Sequence, residues 1–306
     1  MPEARGNTTN KKRIGDLLLK AGIINPEHLP HGLAEADKFQ LRLGEMLVLL
    51  RFMKTEDLTN VLQAQAMLDA GTIDEETAIA ALRQASIDKI DLEDAMDRVK
   101  ELEVNSLESK KSQVGKILDD IANKEKLLGP GNRELVGSFL DLGDTYLELG
   151  STGEAEKSYK RGLSIAENSY GKTNLKITTS LFRLVDLYLI QQKFNDAEPL
   201  GWRLISISQE SLGAEHLETG LAFQRMARIL EGCGRFVEAE QFYLSALRIK
   251  EKKLGPDHPD IVDQLRQMAN FWSKQGRKSE KKRIGDLLCY AGLLTVSELN
   301  EAANMA

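Results

Sequence analysis

Two tripeptides carry residue types suited to holding a ligand: Arg13-Ile14-Gly15 and Arg42-Leu43-Gly44. A guanidinium is a planar fork that donates paired hydrogen bonds to a matching acceptor edge, and an adjacent glycine lets backbone come close to what is bound. A second set recurs at steps of 42 residues. Asp141, Arg183, Arg225 and Gln267 form one column, and Leu140, Phe182, Gln224 and Arg266 another. With Asn270 beside them, Arg183, Arg225 and Arg266 can pair with the carboxylates of an acidic or C-terminal peptide. The competing reading of any one of these arginines is a solvated charge on a helix face.

Other reactive residue types lack the partners that catalysis needs. Ala166 to Thr173, AENSYGKT, ends like a phosphate-binding loop, but alanine stands where the first glycine belongs. His28 and His31 flank a proline with no cysteine nearby, which is a poor zinc set. His216 and His258 are one 42-residue step apart and so belong to turn construction. Asp144, Asp186 and Glu148 lack a nucleophile or base partner, and Cys233 lacks a histidine signature. The residues therefore predict no enzyme, no metal and no cofactor.

Bulk composition narrows the class further. A net charge of −6 with 29% charged residues gives no global basic field for nucleic acid or membrane. No uninterrupted apolar run is long enough for a membrane span. Cys233 and Cys289 form no CxxC pair, and the polar Met1–Asn10 segment reads as a loose tail without an apolar leader. The expectation is a cytoplasmic, all-α protein of two or three modules.

The elements that position these residues follow from periodicity. Leu128-Gly129-Pro130, Tyr170-Gly171-Lys172, Leu212-Gly213-Ala214 and Leu254-Gly255-Pro256 are spaced by 42, and so are Glu154-Ala155-Glu156, Asp196-Ala197-Glu198 and Glu238-Ala239-Glu240. A fixed period of this size marks stacked units that share one elongated core. Each unit carries two apolar faces at helical spacing, with Gly150, Gly234 and Gly276 ending the first helix. The array resembles tetratricopeptide repeats of the 42-residue, kinesin-light-chain-like type over residues 128–277, three full repeats and one first helix. That resemblance implies a helical solenoid whose groove binds a protein or peptide partner.

Upstream, a shift of 29 residues superposes Arg13 on Arg42, Gly15 on Gly44, Leu18 on Leu47, Leu29 on Leu58 and Leu33 on Leu62. Each half reads as a helical hairpin, its second helix capped by Asn25 or by Thr55. Asp74 and Asp91 cap two further short helices, and residues 104–127 read as a polar linker entering a helix that covers the first repeat. The duplicated pattern resembles the MshEN-type N-terminal domain of type II secretion and type IV pilus assembly ATPases, a bacterial family, without their motor. Some members of that family bind cyclic di-GMP. The resemblance implies a nucleotide site at Arg13, Ile14, Gly15, Leu18, Leu29, Leu33, Arg42, Leu43, Gly44, Leu47, Leu58, Leu62 and Gln65. An arginine fork fits the O6/N7 edge of guanine, and Ala36 stands where the first half should have glutamine.

Residues 281–288, KKRIGDLL, repeat residues 11–18 letter for letter. The expected organisation is a tail (1–10), a MshEN-like domain (11–103), a linker and capping helix (104–127), the array (128–277) and a partial copy of the hairpin (278–306). Through residues 281–306 the chain is a candidate homo-oligomer. The leading expectation is a non-enzymatic scaffold with an N-terminal docking module. The alternative is a cyclic di-GMP-responsive adaptor.

Overall fold

The computed structural model describes residues 14–255 and 258–275, and every regular element among them is helical. The chain divides into two compact units, residues 1–109 and 110–306.

The first unit contains α1 (residues 14–20), α2 (His28–Phe39), α3 (Leu43–Leu49), α4 (Thr55–Asp69), α5 (Glu75–Asp88) and the start of α6 (Leu92–Leu128). The 29-residue duplication is written into its backbone. α1 and α3 each end in a left-handed residue, Gly22 at φ 73° and Arg51 at φ 59°. The next amide then reaches back five residues, Ile23 to Leu18 O at 3.0 Å and Phe52 to Leu47 O at 2.9 Å. The following turns match as well. Asn25 N–H donates to His28 Nδ1 at 3.3 Å, and Lys54 N–H to Asp57 Oδ2 at 3.1 Å. Both expected caps therefore shift. α2 begins at His28 behind Glu27, and Lys54, not Thr55, precedes α4. In α4 the side chain of Asp57, three residues on, reaches back to the cap amide, so the capping residue's own chemistry is not needed, and in the first half His28 reaches back in the same way to Asn25, ahead of the helix start.

The hairpins enclose one core with α5 and α6: Leu17, Leu18, Ala21, Leu43, Leu47, Val61, Ala78, Leu82, Leu92 and Ala95 are all buried. Asp74 caps α5 by accepting from Thr77 N–H at 2.8 Å, and Asp91 accepts from Asp94 N–H at 2.9 Å.

α6 departs from expectation. The stretch read as a short helix plus a polar linker is one 37-residue helix. It contains no proline, and its lysines, glutamates and leucines are good helix formers, so nothing stops propagation. In the second unit its Val114, Ile117 and Ile121 pack with Leu135 and Leu142 of α7, the predicted cover for the first repeat.

Three helix pairs and a single helix follow: α7 (Leu135–Glu148) with α8 (Thr152–Tyr170), α9 (Thr178–Ile190) with α10 (Phe194–Leu212), α11 (Leu217–Gly232) with α12 (Phe236–Leu254), and α13 (Pro259–Lys274). Each first helix packs on its partner, and each second helix packs on the next first helix, with one continuous core from Leu140 to Trp272. Gly143 is a required close approach, because a Cβ there would collide with the Tyr159 ring. The first helices open at one repeated turn. Asn132 and Asn174 accept there from the amide two residues on, through Oδ1, and His216 and His258 do so through Nδ1. The histidines are turn construction, as their spacing predicts. Gly276 and the partial copy at 278–306 lie outside the described residues.

Candidate protein-interaction surface

Successive repeats are tied by one recurring clamp. Glu156 of α8 accepts from Lys160 (2.7 Å), Lys193 (3.0 Å) and the Tyr188 hydroxyl (3.2 Å). One period on, Glu198 accepts from Arg235 at 2.6 Å, and one further, Glu240 accepts from the Trp272 indole at 3.0 Å. The last residue of the Glu-Ala-Glu mark is thus an inter-repeat bolt. The hydrogen-bonded Lys160 ammonium, aided by Lys193 and Tyr188 against the cost of burial, holds the Glu156 carboxyl down to about 2.

The first helices carry a second ladder. Arg183 of α9 pairs with Asp144 of α7 at 3.0 Å. Arg225 of α11 grips Asp186 of α9 with two bonds of 2.9 Å, while its guanidinium lies 4.5 Å from the centre of the Phe182 ring. Tyr159 donates to Asp144 at 2.5 Å, and burial together with that carboxylate pushes its phenol above the usual range. Two of the arginines expected to meet a peptide's carboxylates are therefore engaged within the array. The signal was present in the sequence: each pair is 39 residues apart, one period less one helical turn, so each arginine faces the aspartate on the first helix of the preceding repeat.

At α11 and α13 the ladder stops. The residue one period beyond Asp186 is Arg228, and the one beyond Arg225 is Gln267. Gln267 accepts from Gln224 at 2.8 Å, and Gln224 in turn accepts from Lys250 at 2.8 Å. Lys250 is only 3% exposed and also donates to Gln264 at 3.2 Å. Both of its acceptors are neutral carbonyls. Burial pushes its ammonium below the ordinary value of 10.5, against the pull of Asp260. Arg228, Arg266 and Asn270 are exposed, and Arg266 has only a 3.7 Å approach to Asp263. The α7 end of the same row presents exposed Asp141, and Glu148 paired with Lys110 at 3.3 Å. Of the groove residues read from sequence, Arg266 and Asn270 are open, Gln224 and Gln267 are half-buried in the amide network, and Phe182 is half-buried beneath Arg225. Arg228 and Lys250 were missed. Arg228 was missed because its column begins with aspartates, and Lys250 because it lies on a second helix.

In the first unit the predicted nucleotide residues separate. Leu18, Leu43 and Leu47 are core, Gly15 and Gly44 are buried beneath Leu29 and Leu58, and Ile14, Leu29, Leu33 and Leu58 are half-buried. Leu62 is exposed, Arg13 lies outside the described residues, and Arg42 is exposed with its amide bonded to Glu45 at 3.2 Å. Gln65 is buried, donates to Asp69 at 3.0 Å and leaves its Oε1 without a partner. Among the described residues, one cavity of about 300 Å³ lies around Asn60, Ser86 and Lys89, and one of about 520 Å³ around Arg51, Phe52 and Asp57; none of the twelve described candidates lines either. His28 stacks on Phe52 at 4.1 Å, with His31 at 5.7 Å from the same ring. No group of three metal-ligating side chains comes together among the described residues, and no described helix is long and apolar enough to cross a membrane.

Comparison with known proteins places the second unit. Residues 136–169 and 178–252 each match a family model described as tetratricopeptide repeat. Neither match reaches residues 11–103, so the likeness of that stretch to secretion ATPases rests on its motifs alone. No curated protein matches the chain. Two crystal structures of nearly identical TPR-like repeats from a Podosopora anserina putative kinesin light chain are similar at 18% identity, with TM-scores of 0.54 and 0.53. They cover 62% and 63% of this chain and 91% and 92% of theirs. BtubC (BKLC) from P. vanneervenii is similar at 16% identity and a TM-score of 0.52, over 64% of this chain and 80% of its own. At such identities the likeness is one of fold. Every regular element among the described residues is helical, and the helix pairs from α7 onward form a solenoid of tetratricopeptide repeats with kinesin-light-chain-like structural neighbours.

Proposed function

We propose that the first-helix face of the array binds an acidic segment of a protein partner, seated on α11 and α13, and that the chain works as a scaffold and not as a catalyst. The observation that carries this is the broken ladder. Where α7 and α9 offer aspartates that pair with the arginine on the first helix of the next repeat, α11 offers Arg228. Exposed Arg266 sits on α13, and the buried Lys250 adds positive charge with only amide carbonyls as acceptors. A buried cation with neutral partners is costly, and an approaching carboxylate lowers that cost. The test is fluorescence anisotropy with a panel of acidic, neutral and basic peptides. Acidic peptides should bind the full chain and lose at least about tenfold in affinity on Arg228→Glu/Arg266→Glu, a loss of 1.4 kcal/mol or more. Equal binding of all three classes, or acidic binding untouched by the double reversal, would contradict the site.

A second reading concerns the first unit. Its duplicated hairpins and the exposed Arg42 at the start of α3 support a docking module of the secretion-ATPase type with cyclic di-GMP as a candidate ligand. Calorimetric titration of the full chain decides it. Heat that disappears in Arg42→Ala supports the reading, and no heat with the wild-type chain removes it.

A further inference from the structure

We propose that the seat occupied by α1 also accepts residues 281–294 of a second copy of this chain, so that two segments of identical core chemistry compete for one site. The seat is defined by what α1 puts into it. Leu17, Leu18, Ala21 and Ile24 are 3%, 0%, 4% and 4% exposed. Gly15 lies so close to Leu29 that a Cβ would stand 2.8 Å from its Cδ1. Gly22 takes φ 73°, a left-handed value that glycine adopts without steric cost, and lets Ile23 N–H bond back to Leu18 O.

Every one of these requirements recurs downstream. Residues 281–288 are identical to 11–18, which supplies Gly285 for Gly15 and Leu287 and Leu288 for the two most buried leucines. Ala291 and Gly292 repeat Ala21 and Gly22, and Leu294 replaces Ile24 at nearly the same volume. The differences fall where the seat is tolerant. Tyr290 stands for Lys20, whose side chain is about half exposed and makes a surface ion pair with Glu75. The bond from Arg83 to position 20 goes to a backbone carbonyl, which any residue provides. Cys289 stands for the half-buried Leu19.

Beyond the first helix the match thins, keeping Leu299 for Leu29 and Ala306 for Ala36. Gly32 packs so tightly on α3 that a Cβ would lie 2.6 Å from Leu47 Cδ2, and the copy has Ala302 there. The half-buried Leu33 becomes Ala303. The exchange is therefore of one helix and not of a hairpin, and the copy that donates its 281–294 segment keeps its own seat open to the same exchange.

Hydrogen exchange of the α1 amides in the full chain tests this, because substitutions at 287 and 288 leave every residue of the seat unchanged. In a concentrated sample the wild-type α1 amides should exchange roughly threefold faster or more than those of Leu287→Asp/Leu288→Asp. The difference should vanish on dilution by about a hundredfold, as mass action requires. A synthetic peptide of sequence KKRIGDLLCYAGLL, added to the variant chain, should restore fast α1 exchange, and the same peptide with both leucines changed to aspartate should not. Identical α1 exchange in wild type and variant at both concentrations overturns the proposal. So does a difference that survives dilution, or a peptide without effect.

Discussion

At position 216 a histidine does what asparagine does at 132 and 174: a ring nitrogen or an amide oxygen accepts the same backbone N–H at the start of a first helix. The acceptor is what matters. His216→Asn should leave stability within a few tenths of a kcal/mol, whereas His216→Ala should cost about 1 kcal/mol in denaturant melts. Glu156 makes a pH-dependent contribution of known sign. Its folded carboxyl sits at about 2 against an ordinary 4.5, so its stabilisation is complete above the ordinary value and is lost as pH falls from 4.5 toward 2. Melts of wild type and Glu156→Gln across that range should differ most at neutral pH and converge at the acid end. A constant difference would mean that the clamp carboxylate contributes nothing through its ionisation. The clamp and ladder partners were partly legible in the sequence. The Glu-Ala-Glu mark announces a periodic role, but which donor meets it, a lysine, an arginine or an indole, depends on how far the second helices lean over the next repeat, and spacing alone does not give that.

At the scale of elements, the 42-residue step identifies helix pairs, turns and core faces together, because one structural unit is copied and its punctuation with it. Position 192 breaks the punctuation. Gln192 takes φ 57° where Gly150 and Gly234 stand one period away on either side. A side chain there pays a left-handed backbone penalty, so Gln192→Gly should raise stability by up to about 1 kcal/mol by thermal melting. α6 shows the opposite case. Its charged middle has the composition of both a linker and a solvated helix, and only the absence of proline separates the two. Between α11, α12 and α13, Lys250 stands where earlier repeats have Ala166 and Ser208. A lysine whose folded value is lowered binds fewer protons folded than unfolded. It therefore destabilises the fold below that lowered value, and stability recovers as pH rises toward the ordinary 10.5. Lys250→Met should cost no stability at neutral pH and should flatten the alkaline rise seen in the wild type. A large loss at neutral pH would show that the ammonium is stabilising where it is.

For the whole molecule, the arrangement of charge along the array carries the functional argument. Asp141 faces outward on α7 while Glu148 pairs with Lys110, intramolecular pairs close α9, and the positive residues left over gather on α11 and α13. None of this appears in the net charge of −6. The thirteen nucleotide candidates show the limit of a motif: most of its letters are hairpin core, and only Arg42 and Leu62 are exposed among those described. The most direct test of the scaffold account is a charge swap. An acidic peptide that binds the wild-type chain should be rejected by Arg228→Glu/Arg266→Glu, and a peptide with its acids changed to lysines should be rejected by the wild type and bound by the double variant. Failure of the reversed peptide to bind the reversed chain, while circular dichroism shows the array intact, would contradict a site built on those two arginines.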